Sequence, residues 1–271
     1  MRSHLLDFTL VDDVTLASAD CRDAICEAVL TARVERIGPL LEYLFQQVAR
    51  PDLLPPLTAS APHQLTSCLQ AILDCGRFDE LPHDSCLEPK DAEFSWAPAD
   101  QAALDDPRWI AFCKRFDRAA QRARFSRTVA AGLTGAFGEM VDNVLLHSGK
   151  PESAIVGYSS VTGSFEYVVA DAGIGVLGSL RRNSEYHHLM DAGTALQTAL
   201  TEGESRFGRA SGHGLGFRQV FLSLASLQGS LRFRSGDHSL ELDGMNPCLS
   251  TAGLMQRSFY QGLMISVSCH C

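Results

Sequence analysis

A chain of 271 residues, 45% apolar and 20% charged, has the composition of an ordinary globular protein with enough length for a full core. A formal net charge of −9 without any long basic run excludes a surface built for non-specific binding of DNA or RNA. No run approaches the roughly 18 consecutive apolar residues of a membrane span, and the first residues lack the apolar core of a signal peptide, so a cytoplasmic protein away from membranes is expected.

The nine cysteines show no CxxC pairing and read as reduced thiols. Cys269-His270-Cys271 is too small a set for a closed metal site. In chain order, apolar residues recur at three- and four-residue steps from Ala19 to Arg50 (Ile25, Val29, Val34, Ile37, Leu41, Leu44, Val48), which predicts a helix ended by Pro51. A second helix is predicted from about His63 to Cys75, stopped at Gly76. The polar, proline-bearing stretch Leu87 to Asp100 reads as a linker. It divides the chain into a mainly helical N-terminal domain, 1–98, and a second domain, 99–271.

Helices are then predicted from about Asp106 to Arg124 and over 126–147, the latter with an apolar stripe at Val129, Leu133, Phe137, Met140 and Val144. Alternating runs at Ala154 to Ser160 and Phe165 to Ala170 predict an antiparallel hairpin. A glycine-broken, arginine-bearing stretch, 172–214, leads into a helix from Leu215 to about Leu227. Two further strands, carrying Leu231 and Phe233, then Leu240 and Leu242, are predicted to turn at Gly236-Asp237. A last strand runs from Gly262 to Ser268. Helices gathered on an antiparallel-rich sheet predict an α+β fold, a two-layer α/β sandwich.

Three short pieces carry chemistry. Glu139 and Asn143 stand one helical turn apart, on one edge of the apolar stripe. Asp171 ends a strand and is followed by Gly173 and Gly175; its carboxylate is an acceptor suited to the exocyclic amino group of a purine. Gly212-His213-Gly214-Leu215-Gly216 opens directly into a helix, where free N–H groups and the dipole favour an anion. Each piece alone has an ordinary structural explanation: a solvated helix shoulder, a strand exit, a hinge. No Gly-Lys-Ser/Thr follows the last glycines, so it is not a Walker loop.

Together, in this order and setting, the pieces resemble the N box, G1 box and G2 box of the GHKL superfamily of histidine-kinase-like ATPases, over roughly Asp105 to Ser268. The resemblance implies a Bergerat-type nucleotide fold that binds ATP with Mg2+. It gives Asn143 the role of magnesium ligand, Glu139 that of general base, and Asp171 that of adenine reader beside Gly173 and Gly175. Gly212, His213, Gly214, Leu215 and Gly216 become the phosphate-contacting end of a lid spanning 176–211, in which Arg206 and Arg209 reach for phosphate.

Where histidine kinases carry a lysine three residues after the asparagine, Leu146 stands here, and the N box is closer to the anti-sigma-factor kinase branch. No phosphoacceptor histidine box precedes it, since His63 and His83 sit beside prolines. The expected activity is that of a protein kinase or slow ATPase. The alternative is a non-catalytic ATP-dependent switch that presents a surface to a protein partner. The acceptor, that partner and the oligomeric state, a homodimer included, stay open.

Overall fold

The computed structural model describes residues 4–17, 19–57, 92–200, 227, 229–243 and 253–271. Segments of alternating apolar residues form a five-stranded antiparallel sheet in the order β1-β2-β3-β5-β4. Its strands are β1 (Ala92–Trp96), β2 (Ile155–Val161), β3 (Ser164–Asp171), β4 (Ser230–Asp243) and β5 (Gly253–His270). The β2–β3 hairpin expected from alternation is present, with Val161 opposite Ser164 across the turn. The turn expected at Gly236-Asp237 is not. The chain passes through it as one long strand with register shifts between Ser235 and His238, still paired to β5. A bulge of this kind absorbs a glycine inside a strand without reversing it.

Both faces of the sheet are covered. On one lie α4 (Pro107–Arg122), α5 (Arg127–His147), α6 (Gly175–Leu180) and α7 (Ala192–Leu200). Asp106 caps α4, and its carboxylate accepts from the Arg108 N–H at 2.8 Å. An aromatic cluster of Trp109, Phe112, Phe116, Phe137, Tyr158, Phe165 and Tyr167 fills this layer, with the rings of Phe116 and Phe137 4.5 Å apart. By length and composition α5 is a candidate membrane span; here its apolar side, Leu133, Phe137, Met140 and Val144, belongs to this core.

On the opposite face lie α1 (Phe8–Leu16) and α3 (Ile37–Ala49), with α2 (Ala19–Leu30) against α1. Their buried residues, Val11, Ile37, Leu40 and Leu44 among them, form a second core with Phe94, Trp96, Ile155, Val168, Ala170 and Met264. The sandwich therefore has three layers among the described residues, not the two expected. The division expected at 98/99 falls inside this packed unit, because β1, read from sequence as part of a linker, is the edge strand beside β2. The helix expected over Ala19 to Arg50 is two helices. Pro39 lacks an N–H and belongs in a first turn, and the N–H groups of Ile37 and Gly38 donate to the Glu166 carboxylate at 2.8 and 3.3 Å.

Charges buried at this second interface are matched. Arg232 meets Asp12 at 2.6 Å and Glu42 at 2.8 Å, and Arg234 meets Glu42 at 2.9 Å. Glu166 is held by Arg36 at 3.1 Å, and on the other face Glu93 by Arg115 at 2.6 Å. Buried carboxylates without such partners are costly. These four have them.

Candidate functional site

Helix α5 starts at Ser126, whose hydroxyl accepts from the Val129 N–H at 3.3 Å. Its apolar stripe fixes its rotation on the sheet, and that rotation leaves Glu139 exposed and Asn143 half-buried. Neither side chain makes a hydrogen bond or ion pair among the described residues. One turn beyond, His147 Nδ1 lies 3.3 Å from the Ser179 hydroxyl of α6.

The end of α5 is tied to the loop that follows β3. The carbonyl of Ser148 accepts from the Ile174 N–H at 2.8 Å, while the Ser148 N–H closes the helix on Val144 at 3.0 Å. Ser153 Oγ accepts from the Ala172 N–H at 3.0 Å. Ser235 on β4 bridges, accepting from the Val176 N–H at 3.0 Å and donating to the Gly262 carbonyl at 2.8 Å. Gln261 donates to the Gly173 carbonyl. Gly175 has φ 68°, and a Cβ there would meet Ser235 Oγ at 2.7 Å, so both its conformation and its space demand glycine. Gly262, at φ 89°, has no room for a Cβ against the backbone of Asp171.

Asp171 sits at the centre of this clamp. It alternates with Ala170, a member of the α3-side core, so its side chain lies on the α5 side of the sheet. It is 1% exposed. Its Oδ1 accepts from the Gly173 N–H at 2.7 Å. Burial pushes the carboxyl up to about 7, opposed by the backbone N–H groups of Gly173 and Leu263. Among the described residues no arginine, lysine or histidine contributes to it. In that it differs from Asp12, Glu42, Glu93 and Glu166, each of which meets an arginine.

Of the residues singled out from sequence, Asp171, Gly173 and Gly175 thus share one loop, and the Ser148 carbonyl joins that loop to the helix carrying Glu139 and Asn143. Arg206, Arg209, Gly212, His213, Gly214, Leu215 and Gly216 lie outside the described residues. So do the helices predicted at His63 to Cys75 and from Leu215. The segment 176–200 resolves into α6, a 3-10 turn at Ser184–Tyr186, and α7. A cavity of about 610 Å3 borders the loop, lined by Ile174, Gly175, Arg181, Ser235, Tyr260 and Gly262. Sequence reasoning missed Ser148, Ser153, Ser235 and Gln261. Isolated serines and a glutamine carry no pattern, and only their contacts give them a role.

No group of three or more His, Cys, Asp or Glu side chains among the described residues could hold a metal ion. A single amide oxygen such as that of Asn143 is a donor suited to Mg2+, whose remaining ligands are then phosphate and water oxygens. Neither the family models, nor the curated proteins, nor the solved structures contain a match to this chain.

Proposed function

We propose that this protein binds ATP with Mg2+ in a GHKL-type site on the α5 side of the sheet and uses it as a protein kinase or slow ATPase. The observation that carries the reading is Asp171, a buried carboxylate at a strand end with two backbone donors and no cation acting on it among the described residues. A charge left in that state costs stability, and a ligand that donates a hydrogen bond to it repays the cost. The adenine amino group is such a donor.

In this reading Asp171 fixes the base, and the loop of Gly173 and Gly175, held from four sides, keeps that carboxylate in place. Asn143 supplies the protein's oxygen to Mg2+, which when bound neutralises phosphate charge. Glu139, one turn away and without an ion-pair partner among the described residues, accepts the proton of the attacking water or acceptor hydroxyl. Gly212, His213, Gly214, Leu215 and Gly216, with Arg206 and Arg209, hold phosphate oxygens.

Incubation with γ-labelled ATP and Mg2+ tests the enzymatic part. Label is expected on protein or in free phosphate, with Glu139→Ala lowering that transfer by roughly 10²–10⁴ while ATP affinity stays within a few fold. Binding of ATP with no transfer in the wild type would reduce the protein to a switch. Equal turnover in wild type and Glu139→Ala would remove the base from Glu139.

A further inference from the structure

The outer side of α4 carries a ridge of positive charge on a chain whose formal net charge is −9. Between Lys114 and Arg127 stand six cations and one carboxylate, Asp117. Lys114, Arg118 and Arg122 follow one another at four-residue steps, so they line one side of the helix at intervals of about 6 Å. Arg124 and Arg127 continue the charge from the end of α4 to the start of α5. All five are exposed. The sixth, Arg115, turns to the buried Glu93 at 2.6 Å, and Asp117 accepts from Gln121 at 2.6 Å. Lys114, Arg118, Arg124 and Arg127 make no side-chain hydrogen bond or ion pair among the described residues.

Three features of the ridge work against the local structure that holds it. Like charges four residues apart on a helix repel. Arg127 takes the first position of α5, where the helix dipole disfavours a cation. Arg124 has φ 79° and is the one non-glycine residue at positive φ among the described residues. That conformation belongs to the end of α4, where the Arg124 N–H donates to the Gln121 carbonyl at 3.0 Å and the Phe125 N–H to the Ala120 carbonyl at 3.3 Å. Such an ending favours glycine, because a Cβ crowds the backbone there. The fold thus accounts for the turn at 124 and not for the arginine. Side chains placed against local preference mark a role outside the fold.

The extent of the charge selects the partner. The ridge is short, about 12 Å from Lys114 to Arg122 along α4, and the rest of the chain is acidic. An anionic bilayer or a nucleic-acid duplex is an extended plane or rod of negative charge, which meets the acidic remainder as well as the ridge. A narrow segment bearing carboxylates meets the ridge alone. Four of the five exposed cations are arginines, whose planar forks pair with a carboxylate through two bonds at once.

We propose that this ridge docks an acidic segment of a protein partner, with carboxylates about 6 Å apart facing Lys114, Arg118 and Arg122 and further ones reaching Arg124 and Arg127. Alternate residues of an extended chain supply nearly that spacing. None of these residues belongs to the nucleotide reading, and the surface stands without it.

The test follows the fluorescence anisotropy of a labelled peptide of alternating glutamate and serine as the full chain is added at low salt. Saturable binding is expected, with a Kd of about 0.1 mM or tighter. The same peptide with glutamine for glutamate should bind about tenfold more weakly or worse, and Arg118→Glu should weaken the glutamate peptide by about tenfold. Arg124→Gly should weaken it by about threefold while leaving the melting temperature unchanged or raised, since glycine takes this φ without strain. Lys150→Glu, a charge reversal beyond the other end of α5, should leave binding within about twofold of wild type. No binding of the glutamate peptide, equal binding of the glutamine peptide, or equal weakening by Lys150→Glu and Arg118→Glu would overturn the proposal. So would tighter binding of phosphatidylserine vesicles or of a DNA duplex than of the peptide. No ATP enters the measurement, so its failure and that of the nucleotide reading are separate results.

Discussion

Asp171 makes opposite demands on stability and on binding. Its carboxyl titrates near 7 in the folded protein against an ordinary 3.8. The folded state therefore holds a proton that the unfolded chain has released between those values. The stability this contributes is fully present below about pH 4 and is lost as pH rises through about 7. Asp171→Asn removes the titration while keeping an acceptor for the Gly173 N–H. We expect the mutant to gain on the wild type by roughly 1–4 kcal/mol between pH 5 and pH 8, read from urea unfolding at the two values. A difference that stays flat with pH would mean the carboxyl is not held up by burial. Asn143 gives a separate expectation at this scale. Its replacement by alanine should abolish the Mg2+ dependence of nucleotide binding yet leave stability within about 0.5 kcal/mol, as for a half-exposed side chain without partners among the described residues. Loss of nucleotide binding irrespective of Mg2+ would contradict the role.

At the scale of elements, the loop from Asp171 to Gly175 is rigid because α5, β4 and β5 each hold it through hydrogen bonds. Gly262→Ala places a Cβ against the backbone of Asp171 at a φ that L residues rarely adopt. It should destabilise by about 2 kcal/mol or more and weaken nucleotide binding with it. Ser235→Ala, which only removes the bridge to Val176 and Gly262, should cost about 1–2 kcal/mol. Urea unfolding measures both, and a Gly262→Ala protein as stable as wild type would show that the clamp is looser than described.

Much of this was legible in advance. The stripe of α5 and the β2–β3 alternation are periodic signals within single segments, and each element appears where its period put it. What was not legible depended on partners distant in sequence. Ala92–Trp96 reads as linker because its strand character comes from pairing with β2, some sixty residues away. The interruption between α2 and α3 depends on Glu166 reaching the first turn of α3. The strand through Gly236 depends on β5. Asp171 and its glycines were singled out by motif, whereas the serines that hold their loop have no signature.

For the whole molecule, the matched charges between α1, α3 and β4 make the N-terminal helices a layer of one structure. Arg232 and Arg234 are 3% and 0% exposed, and removing Asp12 and Glu42 would leave both guanidinium groups buried without these carboxylates. A chain starting at residue 99 should therefore fail to fold cooperatively, because it exposes Val168, Ala170 and Met264 and strips those arginines together. A sharp thermal transition in that fragment, matching the full chain, would contradict the three-layer description.

The central claim is tested most directly by calorimetric titration of the 271-residue chain with Mg2+ and ATP, repeated with GTP and with Asp171→Asn. The expected result is saturable binding of ATP in preference to GTP, whose ring carries an acceptor where adenine carries its amino donor. ATP affinity should fall by roughly 1.5–3 kcal/mol in the mutant. No binding of ATP, or equal affinity in wild type and a folded Asp171→Asn, would contradict it.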